Sequence, residues 1–70
     1  GEMLATNVDA LVGRKARVVV AIDNQKGEGR VAVDGDDWKA ETATGELVEK
    51  GSWVRILRVE STLLIVESVN

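Results

Sequence analysis

The stretch Gly29 to Glu41, GRVAVDGDDWKAE, limits the fold more than any other part of the chain. Gly29, Val31 and Val33 alternate with Arg30, Ala32 and Asp34, and Trp38-Lys39-Ala40-Glu41 resumes the alternation after an acidic turn. A period of two is the mark of a half-buried β-strand, because successive side chains point to opposite faces. The Asp34-Gly35 pair between the two runs predicts a tight hairpin, since a primed turn needs positive φ and Gly supplies it at little cost.

The segments on either side read as further strands. Arg14 to Asp23 is the first, with Ala16, Val18, Val20 and Ile22 assigned to one face and Arg17, Val19 and Ala21 to the other. The polar loop Asp23-Asn24-Gln25-Lys26-Gly27 leads to the second strand, Glu28–Asp34, and the third runs from Asp37 to Thr42. Gly27 and Gly29 at the start of the second strand point to a bulge or sharp bend. Ser52 to Glu60 is the fourth strand. Its apolar phase passes from Val54 and Ile56 to Leu57 and Val59, a one-residue slip of the kind a bulge produces. Ser61-Thr62 forms a turn, and Leu63 to Val69 is the fifth strand, apolar on both faces at its start.

Ala43 to Gly51, between the third and fourth strands, is too short for a full helix with loops. Leu47 and Val48 are expected to tuck one or two apolar groups under the barrel edge. Ahead of the first strand, Asn7 is a candidate cap for a short helical turn carrying Val8, Leu11 and Val12, with Leu4, Val8 and Leu11 placed to cover one barrel end. A frayed entry segment fits the same residues. Gly1-Glu2 ahead of Met3 reads as a cloning remnant or a cut edge.

Short strands about 8–12 residues apart with turn signals between them point to a small barrel or sandwich. Closure also removes edges that Val-rich strands would expose to aggregation. The expected fold class is all-β: a five-stranded OB-type closed barrel over residues 13–70, after an entry segment at 1–12. The helix common between strands three and four of such barrels is missing or reduced to a turn.

Composition narrows what such a barrel can do. A 70-residue chain buries a limited core, and this one has no Cys for disulfides and no His. Zinc is therefore not expected, and no cofactor is. Phe and Tyr are absent, so the core must be aliphatic. The net charge is −3, from nine basic and twelve acidic residues, which argues against a dedicated nucleic-acid binder. No apolar run reaches the length of a membrane span or a signal peptide.

The residues that could carry chemistry have ordinary structural readings beside the functional ones. A nucleophilic serine needs a base, and Ser52, Ser61 and Ser68 sit at strand ends and turns with only lysines to serve, so no catalytic site is expected. Asp34, Asp36 and Asp37 lack the ligand spacing of a calcium loop and suit a turn instead. Trp38 shares a face with Ala40 and reads as structural. Trp53 falls out of phase with Val54 and Ile56, so it belongs on the outer face beside Arg55. It is either a contact anchor, as Trp and Arg often are, or a surface ring lying over a neighbour. Arg14, Lys15 and Arg17, with Arg30, Arg55 and Arg58, form either a basic stripe facing anionic headgroups or a solvated face.

The series Leu11-Val12-Gly13, GRVAVDGDDWKAE, GSWVRILRVE (Gly51–Glu60) and LLIVES (Leu63–Ser68) resembles the C-terminal soluble domain of NfeD-like proteins. The most specific part is Gly29, Val31, Val33, Gly35, Trp38 and Ala40 of the hairpin; a Gly common near the Ser61 position in that family is absent here. The resemblance implies an OB-type barrel that follows transmembrane helices, so that the parent sits in a membrane with this domain soluble on the cytoplasmic side. It implies stomatin- or flotillin-like membrane proteins as partners, and a non-enzymatic interaction module. The expected contact surface is Trp53 and Arg55 with the loop Asp23, Asn24, Gln25 and Lys26. One alternative is a nucleic-acid-binding OB domain, for which Trp38, Arg30 and Lys39 offer a thin footprint. Another is a lipoyl- or biotinyl-type carrier, which would need Lys39 at a hairpin tip.

Overall fold

The computed structural model describes residues 10–69. Five strands form where the alternation places them: β1 (Lys15–Asp23), β2 (Glu28–Val33), β3 (Asp36–Thr42), β4 (Trp53–Glu60) and β5 (Leu63–Ser68). They close into a barrel in the order β1-β2-β3-β5-β4, with β4 returning to β1. Only the β3–β5 contact among them is parallel. This is the expected OB-type barrel. Each strand differs from expectation by one residue at one end only. The expectations on Leu4, Asn7 and Val8 lie outside the described residues, whereas Leu11 is buried in the core.

Inward-facing aliphatic side chains from all five strands fill the barrel, among them Val18, Val31, Ala40, Ile56 and Leu64. Every buried side-chain polar atom among the described residues has a hydrogen-bond partner, as a core this small requires. The β2–β3 hairpin closes through Asp34 and Gly35 alone, both at positive φ (53° and 83°), between the paired residues Val33 and Asp36. That is the primed turn the Asp-Gly pair predicts.

β1 departs from its expected simple alternation. Val18 pairs with Val31, but Val20 pairs with Arg30 and Asp23 with Glu28, so β1 carries one extra residue at each of two places. The first bulge turns Val20 outward, where it is 42% exposed instead of sharing the inner face of Ala16 and Val18. The second brings Ile22 back inside. Gly29 lies under Ile22 at this bend, with φ of 147°. The slip expected in β4 is present: pairing shifts between Ile56 and Arg58, leaving Leu57 as the extra residue.

The β3–β4 connection contains no helix and works as a substitute strand. β4 itself pairs with β1 only over Lys15–Arg17. Beyond that, Val18 N–H donates to the Ser52 carbonyl (2.9 Å), Gly51 N–H donates to the Val18 carbonyl (2.7 Å), and Ile22 and Val48 exchange both backbone hydrogen bonds (2.8 and 3.1 Å). The pairing selects Val48 for burial and sends Leu47, its neighbour, into solvent at 70% exposure.

Candidate functional site

Trp53 opens β4 and points outward, 47% exposed. Its cross-strand partner is Arg17 on β1. The Arg17 guanidinium lies over the indole, 5.2 Å from its centroid, and its Nε–H donates to the Gly51 carbonyl at 3.0 Å. The guanidinium is thus held twice, by the ring face and by a backbone acceptor. A stack of this kind fixes the indole as a rigid platform, half apolar and half covered by positive charge. Lys15 stands directly opposite Arg55 two pairs along the same seam, with Glu67 on the far side of Arg55. Like charges directly opposite on an exposed sheet face are unfavourable by a few tenths of a kcal/mol (about 0.2–1 at most), so this pairing contributes nothing to the fold. Alternation placed Trp53 and Arg55 on this face. It gave no sign of Arg17 as the stacking partner, because that depends on β1–β4 register.

The loop Asp23–Lys26 lies elsewhere. It ends β1, six residues beyond the Arg17–Trp53 pair, on the order of 20 Å along an extended strand. Two of its four residues serve the fold. Asp23 Oδ1 accepts from the N–H groups of Gln25 (3.0 Å) and Lys26 (3.3 Å), an Asx turn. Asn24 exchanges two hydrogen bonds with the Thr42 backbone, donating from Nδ2 to the carbonyl (2.8 Å) and accepting at Oδ1 from N–H (3.1 Å). Gln25 and Lys26 are exposed. The structure therefore does not gather the two halves of the expected surface into one site.

Trp38 is half-buried and packs against the core from β3, as its phase indicates. It lines a groove of about 490 Å³ with Leu11, Val33 and the ion pair of Arg14 and Asp34. That pair is bidentate (Nη1–Oδ2 2.9 Å, Nη2–Oδ1 2.6 Å), and it ties the hairpin tip to the start of β1. Among the described residues no three acidic side chains converge to hold a metal ion. Lys39 is in the middle of β3, paired with Arg30 and Leu63, not at a hairpin tip where a carrier's attachment lysine would have to be. A second groove, about 440 Å³, lies on the outer face over Val20, Gly27, Gly29, Arg30 and Lys39. Val20 reaches it from the β1 bulge, which an unbroken apolar run does not reveal.

Residues 8–67 match the family model described as NfeD-like C-terminal, partner-binding domain. No curated protein matches the chain. Among solved structures, the chain is 30% identical to the C-terminal domain of stomatin operon partner protein 1510-C from Pyrococcus horikoshii, with 87% of this chain and 91% of that one covered and a TM-score of 0.77. It is 28% identical to the soluble domain of a membrane protein implicated in regulation of membrane protease activity from Corynebacterium glutamicum (84% and 92% covered, TM-score 0.78). The soluble domain of the NfeD protein YuaF from Bacillus subtilis shares the fold at 23% identity (96% and 83% covered, TM-score 0.78).

Proposed function

The chain belongs to the NfeD-like C-terminal, partner-binding domain family, and from this we propose that it is a non-catalytic docking module for a stomatin- or flotillin-like membrane protein. In this reading the parent protein is membrane-embedded and the domain faces the cytoplasm. The similarity to a stomatin operon partner protein supports the choice of partner. The observation that carries the choice of surface is the exposed Trp53 ring held under Arg17. Trp and Arg are the residue types most enriched where binding energy concentrates, and a ring already immobilised loses little entropy on contact. Arg55 and Lys15 beside it add long-range attraction for an acidic partner surface.

Co-purification with the stomatin-like protein encoded in the same genome tests the reading. The wild-type chain retains the partner, and Trp53→Ala loses it while the barrel stays folded. Undiminished capture by the Trp53→Ala chain rules out this surface, and no capture by the wild-type chain rules out the partner class.

A further inference from the structure

Strand register shows how the basic residues are arranged on the outside of the barrel. Lys15 pairs with Arg55, Arg17 with Trp53 and with Ala32, and Arg30 with both Val20 and Lys39. All five cations are exposed. Lys15 and Arg17 are two apart on one strand, as are Arg30 and Ala32, so they share the outer face. Five of nine basic residues thus form one oblique belt across β4, β1, β2 and β3 in a chain of net charge −3. The belt contains two like-charged pairs set directly opposite each other, Lys15–Arg55 and Arg30–Lys39. Two apolar groups lie along it: Trp53 beside Arg17, and the groove lined by Val20 beside Arg30.

We propose that this belt is the seat of an extended acidic peptide segment of the partner, lying across the strands with one apolar side chain against Trp53 and another in the Val20 groove. The inference rests on the partner-binding reading above. Trp53 pairs with Arg17, so one inter-strand step and the three residues from Arg17 to Val20 along β1 set the two apolar stations roughly 11 Å apart, the reach of about three or four extended residues. Charge selects an anion, and three features select a peptide. The belt passes over four strands of a five-stranded closed barrel, so no flat membrane touches both ends. It carries one aromatic ring, which is too few to stack successive bases. Glu28, Asp37, Glu41 and Glu67 border it, which confines the ligand to a narrow track and repels a broad polyanion.

The test uses the isotope-labelled chain and an acetylated octapeptide of six acidic residues with leucines at its second and sixth positions, on one face of an extended chain. Saturable amide shifts at Arg17, Gly29, Arg30, Lys39 and Trp53 are expected, with affinity falling as salt rises. The double variant Arg30→Glu with Lys39→Glu, at exposed positions outside the core, weakens binding at least tenfold, and a scrambled peptide with both leucines central binds less well. Equal binding by the double variant, or tighter binding of an eight-nucleotide oligothymidylate or of phosphatidylserine vesicles than of the peptide, overturns the assignment. Capture of the stomatin-like protein separates this inference from the reading beneath it. If the double variant still captures that protein, the belt is wrong and the partner class stands. If the peptide binds but the wild-type chain captures no such protein, the belt stands and the partner class falls.

Discussion

Gly29 lies so close to Ile22 that no side chain fits between them. A Cβ at Gly29 would fall 3.0 Å from the Ile22 Cα and 2.7 Å from the backbone oxygen of Ala40, and the φ of 147° is itself open essentially only to glycine. The contact is the pivot of the barrel. It lets β1 turn Ile22 inward after exposing Val20, and it lets β2 pass between β1 and β3 at that bend.

Gly29→Ala is therefore expected to destabilise the domain by about 3 kcal/mol, combining backbone strain with a clash against atoms that cannot move aside. A domain of this size has only about 4–10 kcal/mol in all, so a thermal melt should fall by well over 10 °C. Gly27→Ala is the control: its φ is 70°, but nothing lies within 4 Å of the added carbon, and its cost should stay near 1 kcal/mol. Equal losses for the two variants would mean that crowding at Ile22 plays no part.

The contrast between β1 and β4 shows what the sequence could and could not reveal. The β4 bulge is legible because polar Trp-side and apolar Val-side positions exchange phase between Ile56 and Leu57. Val18, Val19, Val20 and Ala21 are all apolar, so a shift of phase among them leaves no trace. The same limit applies to Leu47 and Val48, adjacent and equally apolar, where only backbone pairing to Ile22 decides which is buried. The hairpin was legible because Asp34-Gly35 fixes its register locally. The Arg17–Trp53 stack was not, since its two strands are joined by long-range closure.

Asn24 fastens the β1–β2 loop to the end of β3. Its amide takes up both the N–H and the C=O of Thr42, the last residue of β3. Asn24→Ala should cost about 1–2 kcal/mol through those two part-buried hydrogen bonds, whereas Gln25→Ala next to it should stay within about 0.5 kcal/mol. Urea titrations of the two variants measure this. Matching midpoints would show that the staple contributes nothing.

Ser61 turns the β4–β5 hairpin with φ of 62°, in the left-handed region that costs a side-chain-bearing residue energy. Ser61→Gly removes that cost but raises the entropy of the unfolded chain, which offsets part of it, for a net gain of about 0.5 kcal/mol. The thermal midpoint should rise by a few degrees, with amide shifts confined to Glu60–Leu63. A lower midpoint would show that the serine hydroxyl stabilises the turn by more than the strain it causes.

Trp53 and Val54 are neighbours on β4 that face opposite ways, 47% and 0% exposed. That makes them a matched pair for separating function from fold. Trp53→Ala removes an exposed ring and its cation–π partner, and should lower stability by only about 1 kcal/mol. Val54→Ala empties part of the core and should cost about 2 kcal/mol, the low end of buried large-to-small changes. Partner capture should run the other way, lost with Trp53→Ala and kept by whatever fraction of Val54→Ala remains folded. Melts and co-purification on the same two preparations check both halves. If capture follows stability, the Trp53 face is not the contact surface, because binding would then depend only on the amount of folded barrel.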